Sequence, residues 1–429
     1  MIDKKINVLI FPAGSEIGLE IFNSLRYNLH VALFGASGKS DHAKYIYDKE
    51  HYVEDNFYIT SPDFIDNFKK VLSQLEIDVV FPTHDSIALF LAEHRDSFNA
   101  KILTSSYQTV LIAREKKLTY NLFKKFDFCP QIYDYPFIQI PLPVFIKPNI
   151  GQGGKGAYLI SDKEELISKF NNELDLICCE YLPGEELSVD CFSNKKRELL
   201  FVGPRTRERI QIGISFHSAS VPLTPEIQAI AEELNKNLEI RGAWFFQIKK
   251  DRNGKFKLME FAVRQASTMA LYRQIGVNFA LLSIFDGLDL DVNILNNNYF
   301  IELDRCLFNR YKMNLEYDRV YIDFDDTIIV ENQVNETAIR FLYQCKNKKV
   351  KICLLTKHAF DLDESLRKYY LAKNLFDEII LLKSDDDKAQ SIDPEKSIFI
   401  DNYFFDRERV SKELNIPVFD VDAIESLLS

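Results

Sequence analysis

The sequence has no Cys-x-x-Cys pair, no apolar run near the ~20 residues that span a bilayer, no excess of positive charge, no internal repeat and no low-complexity tract. Its seven cysteines, Cys129, Cys178, Cys179, Cys191, Cys306, Cys345 and Cys353, are scattered and odd in number, which argues against zinc or dithiol redox chemistry and fits a reducing cytosol. The apolar run 6–11 meets Pro12 and Gly14, too soon for a signal h-region, so the expected location is cytoplasmic, away from membranes. Lys plus Arg total 53 against 64 Asp plus Glu, and the net charge of −11 excludes general attraction to nucleic-acid phosphate. What is present is ample core material: 429 residues, 46% hydrophobic, with 34 Phe and 20 Tyr. That length suits two to four domains of ~100–200 residues each.

The pattern is α/β. Ile6–Phe11 reads as a buried parallel-type strand, followed by a turn holding Gly14 and Gly18 and an apolar helical pattern. Further strands at 31–34 and 77–81 and helices at 63–75 and 86–94 make residues 1–100 an open parallel sheet. A dinucleotide fingerprint needs a third glycine, so tight turn geometry is the simpler account of Gly14 and Gly18. A helix at 106–126 precedes Pro130, Pro136, Pro141, Pro143 and Pro148, which mark a boundary. Residues 144–160 read as strand, Gly-rich loop, strand: a hairpin, unlike the strand-to-helix loop of Walker-type sites.

A nucleoside triphosphate needs cations and backbone N–H groups at its phosphates, a flat slot for its base, and carboxylates to hold magnesium. Such groups occur in order. Lys116 sits on a helix, Lys147 on the strand before the loop, and Gly151, Gly153, Gly154 and Gly156 allow close backbone approach to an anion. Glu180-Tyr181-Leu182 ends a strand and leads through Gly184 to Glu186, while 243–250 and 256–264 read as a hairpin with Gln247 and Glu260 on paired strands.

This ordered set resembles the ATP-grasp superfamily, in particular the carboxyl-phosphate-forming halves of carbamoyl phosphate synthetase and the amino-acid ligases, over residues 1–300. The resemblance implies a pre-ATP-grasp domain at 1–100 and ATP-grasp α+β domains at 101–310 with a lid at about 130–190. It implies ATP and Mg2+ as cofactors. Lys116, Lys147, Gly153, Gly154, Gly156, Glu180, Tyr181, Leu182 and Glu186 would bind ATP, Gln247 and Glu260 metal, and Arg264 would act in catalysis. The family's Glu-x-Asn-Pro-Arg here reads Glu260-Phe-Ala262-Val-Arg264, which removes one magnesium ligand. The implied reaction phosphorylates a carboxylate and passes the acyl phosphate to an amine, both small molecules. Arg205, Arg209, His217 and Ser218 are the candidate acceptor-side residues, because an arginine loop suits carboxylate capture. Thr83-His84-Asp85-Ser86, at a strand's carboxyl end, would line the same cleft.

Downstream, Asp323-Phe-Asp325-Asp326-Thr327 follows the apolar strand 320–322, Thr356 ends a second strand, Lys388 lies in a charged loop, and Asp401, Asn402 and Asp406 follow a third strand. Residues 317–429 thereby resemble a capless, Rossmann-like member of the haloacid-dehalogenase superfamily. By that resemblance Asp323 is the nucleophile, Asp325 the acid and base, and Thr356 and Lys388 the phosphate anchors, with Lys383 as an alternative lysine. Asp323, Asp325, Asp401 and Asp406 would hold magnesium, and the substrate would be a phosphorylated metabolite. Three readings stay open: a ligase fused to a phosphatase of the same pathway, a ligase with a non-catalytic second domain, and a nucleotide sensor with an active phosphatase. Homo-oligomerisation is also open.

Overall fold

The computed structural model describes residues 4–428 except 138, 152, 212, 298, 307–310 and 312. The chain forms two compact units, Met1–Leu307 and Phe308–Ser429.

The first unit begins with a five-stranded parallel sheet in the spatial order Tyr52–Glu54, Val31–Ser37, Ile6–Phe11, Val79–Pro82, Lys101–Ile102. Its strands are runs of Val, Ile, Leu and Phe because both faces are covered: Leu9, Phe11 and Phe68 pack on one side, Val8, Ile10 and Ile21 on the other. The turn at Gly14–Gly18 starts helix Glu16–Leu25, where the Ser15 side chain accepts from the Gly18 N–H at 2.8 Å. A Cβ on Gly18 would lie 2.5 Å from the Ala13 carbonyl oxygen, so close helix-to-strand approach accounts for that glycine.

The expected single helix at 106–126 is two helices, Tyr107–Arg114 and Lys116–Phe123. The break at Glu115 lets Asn149 accept the first N–H groups of the second helix, Lys116 on its carbonyl at 3.3 Å and Lys117 on its side chain at 2.8 Å. Lys116 is thereby tied to the end of strand Val144–Pro148, which pairs antiparallel with Tyr158–Ile160 and Leu176–Glu180 in a small four-stranded sheet.

A second antiparallel sheet runs in the order Leu199–Thr206, Glu186–Ser193, Gly242–Lys250, Phe256–Ala262. Helix Pro225–Asn237 packs on it through Ile227, Ile230, Ala231 and Leu234, the spacing of one helical face. Thr224 caps that helix on the Ile227 N–H, and Pro225 occupies its first turn. Inside this sheet Arg205 is 1% exposed and donates to Asp190 through Nε at 2.7 Å and Nη2 at 3.1 Å.

The second unit repeats the parallel plan, in the order Glu378–Leu381, Lys351–Thr356, Arg319–Ile322, Ser397–Ile400, Val418–Phe419. Apolar clusters around Phe341 and Phe399 cover its two faces. The seven cysteines are unbonded, and Cys306 alone is exposed. No helix among the described residues is long and apolar enough to cross a membrane.

Asp190→Ala strands the Arg205 charge in the sheet interior, so it is expected to destabilise the first unit by ~3–5 kcal/mol. Chemical denaturation followed by fluorescence of Trp244, the chain's single tryptophan, measures this, and adding Arg205→Met should recover part of the loss.

Candidate functional site

In the first unit strand order reverses between Ile6–Phe11 and Val79–Pro82, and such a reversal leaves a crevice at the strands' carboxyl ends. The segments leaving those ends, Ser15–Ile17 and Thr83–Asp85, line one side of a cavity of about 430 Å³, and Thr83 Oγ1 donates to the Pro12 carbonyl at 2.6 Å to join them. The other walls carry Lys116, Gly151, Gly153, Arg205, Arg207, Gln247, Glu260 and Arg264. Residues that the sequence singled out thus meet one space, among them Lys116, Gly151, Gly153, Arg205, Gln247, Glu260, Arg264 and Asp85. Gln247 and Glu260 stand opposite each other on paired strands, and a bulge follows Gln247.

The charges in this cleft are already paired. Lys116 Nζ lies 3.7 Å from Glu260, and burial holds its pKa below the ordinary lysine value against the pull of that carboxylate. Arg264 donates to both oxygens of Asp85, at 2.6 and 2.9 Å. Burial pushes the Asp85 carboxyl up, but the Arg264 guanidinium outweighs it and holds the group below its usual value. Arg205 differs, because Nη1 is buried without a hydrogen-bond partner. Arg207 is fixed by Glu186 at 2.6 Å, Ser188 at 3.2 Å and the Gly213 carbonyl at 3.1 Å. Gly213 in turn faces Gly153: a Cβ on Gly213 would lie 2.3 Å from the Gly153 Cα, so only glycine lets the two loops meet.

Beside the cleft, Lys147, Glu180, Tyr181, Leu182, Leu258 and Met259 line a narrow slot of about 50 Å³ between the two antiparallel sheets. Lys147 Nζ donates to Tyr120 Oη at 2.6 Å and the Met259 carbonyl at 3.1 Å. Glu180 ends its strand by accepting from the Gln131 N–H at 2.9 Å.

Several expected residues lie elsewhere. Glu186 lines neither space and holds Arg207 and Lys249. Arg209 is exposed and bidentate on Asp304, His217 Nδ1 pairs with Glu208 at 2.8 Å, and Ser218 is buried against Ser215 Oγ at 3.1 Å. All three belong to the segment forming the sheet of Glu208–Gln211, Ile214–Ala219 and Glu302–Asp304, whose pairing turns them from the cavity while Arg205 and Arg207 face it. Gly154 and Gly156 turn the hairpin, with φ of 74° at each, but do not line the cavity. Sequence reading missed Asp190 and Arg114; the latter lines the cavity and donates to the Gly151 carbonyl at 3.1 Å. Its position two residues before Lys116 was the available signal.

In the second unit the order reverses between Arg319–Ile322 and Ser397–Ile400, and Asp323 and Asp401 follow these strands directly. Lys388, expected in a charged loop, begins a buried 3₁₀ turn capped by Asp387. Its Nζ donates to Asp323 at 2.8 Å and Asp401 at 2.6 Å, and Asp406 lies 3.7 Å away. Lys383 is exposed, and its backbone N–H donates to Asp386 at 2.8 Å. Burial pushes Asp323 up to about 6 against the pull of Lys388, and Asp401 adds to the rise. Thr356 Oγ1 is buried with no partner. Asp325 accepts from His358 Nδ1 at 2.9 Å, and the ring's Nε2 meets Ser365 Oγ at 2.8 Å. Lys357 reaches Asp406 at 3.3 Å. His358 and Lys357 went unnoticed in the sequence, although both directly follow Thr356. No group of three or more His, Cys, Asp or Glu side chains among the described residues is arranged to hold a metal ion.

Residues 172–299 match the family described as ATP-grasp in the biosynthetic pathway with Ter operon. No curated protein matches the chain. Among solved structures, biotin carboxylase from Campylobacter jejuni, in complex with β,γ-ATP, aligns at a TM-score of 0.57 and 15% identity, over 69% of this chain and 74% of that one. N5-carboxyaminoimidazole synthetase from Staphylococcus aureus, complexed with ADP, gives 0.55 and 16% over 68% and 80%. L-amino acid ligase from Bacillus licheniformis gives 0.53 and 15% over 68% and 76%. Identities this low speak to fold, and with the matched segment they show an ATP-grasp fold.

Lys388→Ala leaves Asp323 and Asp401 facing each other without their shared cation. A loss of ~3–5 kcal/mol is expected at pH 7.5 in the metal-free chain. The Asp323 pKa is raised by folding from 3.8 to about 6, so its ionisation costs stability as pH rises through that window. The variant's deficit should therefore shrink at pH 5. The transition seen by circular dichroism and not by Trp244 fluorescence reports it.

Proposed function

We propose that the first unit is an ATP-dependent ligase that activates a small-molecule carboxylate as an acyl phosphate and delivers it to an amine, and that the second unit is a phosphatase acting on a phosphorylated metabolite of the same biosynthetic pathway. The observation that carries the ligase is the meeting of Lys116, the Gly151–Gly153 backbone, Gln247 and Glu260 around one cavity beside an apolar slot at Glu180–Leu182. The slot suits an adenine ring, and the lysines and hairpin N–H groups suit its phosphates. Gln247 and Glu260 are the hard oxygen donors that magnesium takes in ones and twos, so the residues fit that cation even with Ala262 supplying nothing. Magnesium held there would offset charge on the transferring phosphoryl group.

The chain's own groups do the rest. Arg205, oriented by Asp190, presents its unpartnered nitrogen to the carboxylate substrate, and Arg207 braces the loop beside it. Arg209, His217 and Ser218 shape that loop from behind. Arg264, held on Asp85, keeps a positive charge where the anionic intermediate forms. The Gly153–Gly213 contact excludes water that would hydrolyse it.

For the second unit, the support is the convergence of Asp323, Asp401 and Asp406 on one cation, with the orphan hydroxyl of Thr356 at the end of the adjacent strand. In this reading Asp323 attacks phosphorus, and Asp325, steadied by His358, protonates the leaving oxygen and then activates water. Thr356 and Lys388 hold the phosphate oxygens. Asp323 and Asp401 are hard oxygen donors of the kind magnesium takes in ones and twos, so these two would hold that cation, which would supply charge neutralisation. Ala262 favours one rival reading, a first unit that binds nucleotide without turning it over.

Magnesium-dependent ADP and phosphate release, measured separately on the full chain against pools of amino acids, sugar acids and phosphomonoesters, tests both halves. Glu260→Ala should lower ADP formation by ~100-fold or more and leave phosphomonoester hydrolysis intact. Asp323→Asn should do the reverse. Nucleotide binding with no ADP from any pool would return the sensor reading.

A further inference from the structure

A second cavity of about 450 Å³ lies in the first unit, within the ~300–1,000 Å³ typical of small-molecule sites. Its lining shares only Arg264 with the first cleft. Phe81, Phe98 and Leu103 supply an apolar wall, and besides Arg264, which Asp85 holds, three cations stand around the rest: Arg95 after helix Asp85–Glu93, Lys101 on the edge strand of the parallel sheet, and Arg241 before strand Gly242–Lys250.

The cations are not equivalent. Arg241 is neutralised by Asp286 at 2.7 Å and Asp289 at 2.8 Å. Arg95 and Lys101 have no ion-pair partner among the described residues. Arg95 donates from Nη2 to the Thr104 and Ser105 carbonyls at 2.7 Å each, both neutral acceptors, and the one acid near it in the lining, Asp96, forms no salt bridge with it. Burial and the nearby Arg241 charge pull its pKa below the ordinary arginine value and outweigh the opposing pull of the Asp96 carboxylate. Of the two acids of the lining, Asp96 is exposed, and the buried Asp286 is consumed by Arg241 and by the Lys195 N–H at 2.5 Å.

A further group in this wall lacks a partner. Gln265 is 5% exposed, lines this cavity and not the first, and its Oε1 is buried without a hydrogen bond. A buried amide oxygen left unpaired is costly, and native structures rarely leave one without a protein, water or ligand donor. The space therefore offers cations free of any salt bridge on one side, an acceptor on another and an apolar wall between them.

We infer that this cavity is a second binding site, for a small anionic metabolite whose carboxylate or phosphate meets Arg95 and Lys101 and whose N–H or O–H donates to Gln265. It does not rest on the ligase reading, since none of these three residues belongs to the nucleotide cleft.

Calorimetric titration of the full chain with inorganic phosphate and, separately, with malonate tests the site, on the wild type and on Lys116→Ala, which alters the first cleft alone. Saturable binding of either anion is expected, preserved within ~2-fold in Lys116→Ala and weakened ~10-fold or more in both Arg95→Gln and Lys101→Glu. Preference for phosphate or malonate assigns the recognised group. Lys101 is exposed, so an unchanged Trp244-monitored transition in Lys101→Glu separates lost binding from lost folding. The inference is overturned if neither anion binds, if binding survives Lys101→Glu, or if it disappears in Lys116→Ala.

Discussion

Two parallel strands that share a sheet but send their connections to opposite faces cannot close the gap between their carboxyl ends, and this constraint places the charged cleft in both units. In the first it sets Ser15–Ile17 against Thr83–Asp85; in the second it sets Asp323 against Asp401. The sheets need only alternation of buried strand and amphipathic helix to form. The crevice then follows from topology, whatever side chains later occupy it.

What occupies it is charge paired in advance. Lys116 with Glu260, Arg264 with Asp85, and Lys388 with Asp323 and Asp401 each hold an ionised group in a partly buried place where it would be costly alone. In the reactions proposed above, an incoming phosphate or carboxylate would exchange one counter-charge for another instead of meeting a bare cation. The exceptions, Arg205 Nη1, Thr356 Oγ1 and Gln265 Oε1, are the positions where the polypeptide supplies half of an interaction.

Much of this was legible in the sequence. The parallel strands appear as β-branched runs, and the Gly151–Gly156 segment as a hairpin because strand-like patterns stand on both sides. Gln247 and Glu260 could be paired by counting from the turn at Asp251–Gly254. Arg209, His217 and Ser218 were misjudged because proximity in sequence to Arg205 says nothing of which face of a three-stranded ribbon a residue takes. Lys388 was singled out, but its burial was not legible: a run of charges is usually solvated, and only strand pairing far from it reveals two buried acids awaiting a cation. Asp190 gave no local signal, since its role depends on Arg205, fifteen residues on, arriving on the neighbouring strand.

The cysteines carry a practical consequence. Burial pushes Cys178 and Cys345 up to about 12 and Cys129 and Cys353 up to about 11, so near neutral pH these thiols hold almost no reactive thiolate. Cys306 is exposed and sits one residue before the first unit ends at Leu307. The unaltered chain therefore accepts a maleimide dye or spin label at a single place, where the polypeptide passes from one unit to the other, and a reporter there can follow the two units without any cysteine being engineered in or out.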